Sequence, residues 1–135
     1  MSESKSLQGQ WAYRSLYNDP DLGKPFNALR FGQGTLELEP SGTGELTGSL
    51  GDTKWRLDLI GNYALGNPLS LRFQGKGEIK DELWVYDYMG WLVPRWPNGV
   101  DQRPAIVGSV IRTVPHSGGS SPAGYVGSFY AVLMS

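Results

Sequence analysis

The chain has no cysteine. Disulfides, thiolate metal sites and cysteine nucleophiles are therefore excluded, and the absence of thiol pairs fits a reducing compartment. A single histidine, His116, rules out any centre that needs two imidazoles, so a metal would have to rest on carboxylates. The nearest acidic cluster, Asp19-Pro20-Asp21-Leu22-Gly23, lacks the ligand count and closing glutamate of a calcium loop and reads as a turn. There is no Gly-x-Ser-x-Gly elbow and no Walker loop. No metal and no cofactor is expected. An excess of one charge is missing too: twelve basic and thirteen acidic residues leave a net charge of −1, with no like-charged block. That removes the basic stripe of a nucleic-acid binder and the polybasic patch of a membrane-surface protein. No apolar run approaches the ~20 residues of a membrane-spanning helix. The polar start Met-Ser-Glu-Ser-Lys-Ser has no apolar stretch of the kind a signal peptide carries. The expectation is a cytoplasmic protein with no nucleic-acid and no membrane partner.

Helical periodicity is also lacking. Glycine or proline interrupts every window in which apolar residues recur at i, i+3, i+4 and i+7. What is present is glycine, at 19 residues, and aromatics, at 12% with five tryptophans, against only 19% charged residues. That mixture suits strands and tight turns. With 135 residues the chain has the size of one domain, 1–135, able to bury a core without staples.

Period-two alternation recurs along it. Trp55, Leu57 and Leu59 share one face of 53–60, with Lys54, Arg56 and Asp58 on the other. Leu69, Leu71 and Phe73 repeat the pattern, as do Leu36 with Leu38 and Leu46 with Leu50. Longer apolar segments lie at 80–92, 105–114 and 124–134, and an opening strand at about 10–17. Between them fall turn signals: Pro40-Ser41-Gly42-Thr43-Gly44, Gly51-Asp52, Gly61-Asn62, Gly66-Asn67-Pro68 and Gly75-Lys76-Gly77. In 28–39 the apolar parity switches from Leu29 and Phe31 to Leu36 and Leu38 across Gly32 and Gly34, which predicts a β-bulge. Eight strands joined mostly by short turns are sequentially antiparallel. The fold class is all-β, an eight-stranded antiparallel up-and-down β-barrel, with a two-sheet β-sandwich as the alternative. A barrel of that size either fills with side chains or holds one small ligand.

Gly9-Gln10-Trp11 resembles the Gly-x-Trp that opens the first strand of lipocalins and avidins, within the calycin group that also holds the fatty-acid-binding proteins. The resemblance implies that Trp11 plugs one end of the barrel and that Arg112 is the basic residue stacked on it. It also implies a small-molecule binder. Isomerases and cyclases of the allene oxide cyclase type share the strand pattern.

The richest stretch runs from Trp84 to Arg103. Trp84, Tyr86, Tyr88, Trp91 and Trp96 occur there with Asp87, stiffened by Pro94, Pro97 and Pro104. As a rigid aromatic segment beside a barrel mouth, it is expected to line or lid a pocket for a small apolar or aromatic ligand. The face of Trp84, Tyr86 and Tyr88 is left open, because Lys80 and Glu82 share their parity. Asp87 and Arg112 each interrupt an apolar strand, so each needs a partner, and they are candidates for a buried ionisable group or for pairing with each other. His116, at a strand end, is a candidate gate or general base; alternatively it is a solvated loop residue. The ligand-binding candidates are thus Trp84, Tyr86, Asp87, Tyr88, Trp91, Trp96, Arg112 and His116. Three functions remain open at this point: a ligand-binding barrel, an isomerase- or cyclase-type enzyme, and a structural oligomerising barrel. Finally, 83–134 is apolar on both faces, which predicts a homo-oligomer through those strands unless the 18–28 loop covers them.

Overall fold

The computed structural model describes residues 3–134. A short 3-10 helix, Glu3–Leu7, leads into eight strands: β1 Gly9–Tyr17, β2 Arg30–Pro40, β3 Glu45–Gly51, β4 Arg56–Ala64, β5 Ser70–Ile79, β6 Glu82–Leu92, β7 Ala105–Arg112 and β8 Val126–Leu133. Each pairs antiparallel with its neighbours in sequence, and β8 pairs back onto β1, so the sheet closes into a barrel. Closure excludes the sandwich and leaves no free edge.

The alternating leucines converge on the axis. Leu36, Leu38, Leu46, Leu50, Leu57, Leu59, Leu69 and Leu71 are all buried, while Glu37, Arg56, Asp58 and Arg72 on the alternate positions face water. Each apolar side chain so removed from water contributes about 1.5–3 kcal/mol. Odd-numbered strands run one way and even-numbered strands the other. One end is therefore built from the start of β1, the end of β6 and the start of β7. The opposite end is built from the end of β1, the start of β6 and the end of β7.

Trp11 closes the first end. It is fully buried, and its indole Nε1–H donates to the Leu7 carbonyl at 3.0 Å, which fastens the 3-10 helix across the opening. Arg112, at the end of β7, lies at the opposite end. The expected stacking of Arg112 on Trp11 is therefore corrected by strand direction alone. The 93–104 segment with Trp96 also belongs to the plugged end, where Gln102 ties it together by accepting from Trp96 N at 2.9 Å and donating to Pro94 O at 3.2 Å.

The parity switch in β2 is a bulge: Ser15 pairs with Gly32 and Leu16 with Arg30, leaving Phe31 as the extra residue. Two turn assignments shift. Gly75 and Gly77 lie inside β5, and the hairpin turns at Lys80-Asp81, both at positive φ (53° and 66°). Gly75 is there for packing, since a Cβ would press on Leu57, Leu59 and Tyr88. Gly61 and Asn62 likewise belong to β4, not to a turn. The 18–28 loop is largely exposed; it touches β8 where Asn18 Oδ1 accepts from Ser128 Oγ at 2.7 Å, and it leaves Trp91, Val107, Val126 and Tyr130 exposed.

Candidate functional site

The turn at Lys80-Asp81 settles the facing of β6. It pairs Ile79 with Glu82 and sends the even positions Trp84, Tyr86, Tyr88 and Gly90 inward. Glu82 shares that parity but sits at the rim, where its carboxylate accepts from Ser117 N at 2.8 Å and Gly118 N at 2.9 Å. A charged residue at an inward position is satisfied because the barrel wall ends there.

Below this rim lies a cavity of about 190 Å³. Trp84, Tyr86 and Tyr88 of β6 form one wall, Tyr13 and Ser15 of β1 another, and Leu50, Trp55 and Leu57 the side around the β3–β4 turn. The β2 bulge places Phe31 on the same cavity. Ser15 is held by donating its hydroxyl to Gly32 O at 3.2 Å. Tyr13, Tyr88 and Phe129 pack at ring separations of 5.4–6.1 Å and, with Phe73 stacked 4.7 Å from Tyr88, close the cavity from below. Burial raises the hydroxyls of Tyr13 and Tyr88 above the usual phenol range, so both are neutral donors.

A polar cluster sits beside the cavity. Arg112 is 5% exposed, His116 5% and Tyr86 8%. The Tyr86 oxygen accepts from Arg112 Nε at 3.0 Å and lies 2.6 Å from His116 Nε2. Arg112 also donates to Pro122 O at 3.2 Å, and its guanidinium carbon lies 4.9, 5.7 and 5.8 Å from the ring centres of Phe31, Tyr86 and Tyr125. The His116 ring stacks on Trp84 at 3.9 Å, and its Nδ1 lies 2.8 Å from Ser117 Oγ. His116 is thus not a solvated loop residue: its backbone bridges to Ser121 and its buried ring packs on Trp84. The Trp84 indole Nε1 has no hydrogen-bond partner among the described residues.

Burial, and then the Arg112 charge, lower the pKa of His116 below 6.5, against a smaller opposing pull from Glu82. The folded protein therefore binds this proton less readily than the unfolded chain. Stability is complete above the unfolded value of 6.5 and falls as pH drops below it, until the folded His116 titrates as well. A melting series from about pH 7.5 to about pH 5 is expected to show falling stability, and His116→Gln is expected to flatten the curve in that window. Wild-type and variant curves of equal slope would count against it.

Of the residues singled out from sequence, Trp84, Tyr86, Tyr88, Arg112 and His116 come together at this end. Asp87 does not: it faces outward and accepts from Gln74 Nε2 at 3.3 Å. The idea that Asp87 pairs with Arg112 is corrected by parity, since an odd position on β6 cannot share a face with an even one. Trp91 also points outward, and Trp96 is 71% exposed on the loop at the plugged end. Sequence reading missed Tyr13, Ser15, Phe31, Leu50, Trp55 and Leu57 as cavity residues. Only the parity switch around Phe31 signalled any of them. Against protein-family models, curated proteins and solved structures the chain gives no match, so the geometry of this site carries the functional reading alone.

Proposed function

We propose that the protein is a small-molecule-binding barrel of calycin-like type, which takes an apolar or aromatic ligand at its unplugged end. The observation that carries this reading is the cavity of about 190 Å³ between Phe31, Trp55, Trp84, Tyr86 and Tyr88. A cavity of ~150 Å³ accommodates benzene, so the space suits a single ring with a small substituent. Aromatic walls with a few fixed hydroxyls are the usual make-up of such pockets. The expected result of titrating the protein with toluene is a saturable change in tryptophan fluorescence, because Trp55 and Trp84 line the space. Leu57→Trp, which fills it, is expected to abolish the response at an overpacking cost of about 1–3 kcal/mol. An unsaturable response, or one that Leu57→Trp leaves intact, would overturn the reading.

A separate observation favours self-association. On the outer wall Trp91, Val107, Val126 and Tyr130 are exposed, with Arg72 and Asp87 beside them. We propose that two copies meet across this wall about a two-fold axis, which buries the apolar stripe and offers Arg72 and Asp87 as opposite charges for pairing between copies. Sedimentation of the wild type is expected to give a dimer, and Val107→Lys a monomer. A monomeric wild type at micromolar concentration sinks this part of the proposal.

A further inference from the structure

One buried charge at the unplugged end, Arg112, has no counter-ion among the described residues. The ion pairs among the described residues are Lys24 with Asp19 and Arg56 with Asp58. Arg112 is in neither, although it is one of the few polar side chains the barrel buries. Glu82, the acid that bears on His116, is engaged by the backbone of Ser117 and Gly118. Burying a guanidinium is costly unless an anion or a full set of acceptors meets it. Here it meets ring faces, the phenol oxygens of Tyr86 and Tyr17 and one carbonyl, none of them an anion, so its positive charge stands without a counter-ion beside Tyr86 and Phe31. Both of those residues also line the cavity.

We infer that the ligand of this cavity is a single-ring aromatic carboxylate, its ring among Phe31, Trp84 and Tyr88 and its carboxylate accepting from the Tyr86 hydroxyl, with Arg112 supplying the charge from behind. The inference rests on the cavity being a ligand site. The Tyr86 oxygen already accepts from Arg112 Nε, so its hydrogen is polarised toward whatever acceptor faces it. His116 Nε2 lies 2.6 Å from the same oxygen and, as the Nδ1–H tautomer, takes that hydrogen. When a carboxylate takes the hydrogen, His116 keeps its contact as the other tautomer: Nδ1 gives its proton to solvent, solvent returns one to Nε2, and Nε2–H donates to the Tyr86 oxygen, with no net change of charge. Ser117 Oγ, 2.8 Å from Nδ1, serves either tautomer because a hydroxyl both donates and accepts. The imidazole stays neutral throughout. Two donors, Arg112 and His116, then converge on the phenol that holds the anion.

The test is calorimetric titration with benzoate and with toluene at neutral pH. Benzoate is expected to bind at least about tenfold more tightly, the size of one charge-assisted hydrogen bond. Tyr86→Phe keeps the ring and its packing. It is expected to hold toluene within about threefold of wild type while erasing the preference for benzoate. Arg112→Gln is expected to lose the same preference. Equal affinity for the two probes, or a preference that survives Tyr86→Phe, overturns the inference and leaves the cavity reading standing. Binding of neither probe overturns both.

Discussion

Trp11→Ala is expected to destabilise the barrel by about 3–5 kcal/mol, the range for deleting a large buried aromatic. Three losses add at this position. The indole is fully buried among the leucines at the plugged end, so its removal leaves a void that a barrel tied on both sides closes poorly. Its Nε1–H is what fastens the Leu7 carbonyl, and Leu7 is itself fully buried. The 3-10 helix Glu3–Leu7 is too short to hold its shape without that bond. Urea unfolding of the two proteins checks the value. Trp11→Phe separates the terms, since it keeps most of the volume and loses the hydrogen bond, and it is expected to fall between wild type and alanine. A cost below about 1 kcal/mol for alanine would mean that Trp11 does not plug the barrel.

Gly108→Ala is expected to cost about 3 kcal/mol, at the upper end for overpacking. Gly108 on β7 faces Gly90 on β6 across the sheet, and Phe129 pairs beside it from β8. A Cβ on Gly108 would overlap the carbonyl oxygen of Met89 and crowd Gly90 Cα at 2.6 Å. The nearest atoms are all β6 backbone, so nothing can rotate away and β6 and β7 would have to separate. Gly42→Ala is the matched control: its added Cβ meets nothing within 4 Å, and the expected cost is under about 1 kcal/mol. Equal melting temperatures for the two variants would refute the steric argument.

The fold was legible because its main signal is local. Alternation such as Leu57-Asp58-Leu59 and Leu71-Arg72-Phe73 reports one face of one strand, and short turns leave antiparallel neighbours as the only arrangement. Glycine was the ambiguous letter. In Gly75-Lys76-Gly77 it allows close packing inside a strand, yet the sequence shows only a turn-like cluster, while the actual turn at Lys80-Asp81 contains no glycine.

The site was half legible for a related reason. Trp84, Tyr86 and Tyr88 were conspicuous, but their face depended on where Glu82 ends up, and a rim position tolerates charge at an inward parity. Trp91 and Trp96 looked equally suitable. Being adjacent in sequence to the cavity wall, they are carried by the run of β6 to the far end. Arg112 was picked out as a charge in an apolar strand, but its partner is the Tyr86 hydroxyl across the β6–β7 pairing, which no pattern of acids and bases indicates. Cavity residues such as Ser15 and Leu50 carry no local mark at all; only the three-dimensional closure gathers them.

That closure also governs how the chain reaches its native state. Every pairing from β1–β2 to β7–β8 joins strands adjacent in sequence and can form hairpin by hairpin. The seam that sets Trp11 against Leu133 and Tyr17 against Gly127 joins the first strand to the last, and its loop-closure entropy is that of nearly the whole chain. Until it forms, β1 and β8 are bare edges, and β8 carries the apolar run Phe129-Tyr130-Ala131-Val132-Leu133. The seam is therefore the strand pairing with the largest loop-closure entropy. A β8 that finds the β1 of another copy first makes the same hydrogen bonds between chains, and the product is a strand-swapped dimer.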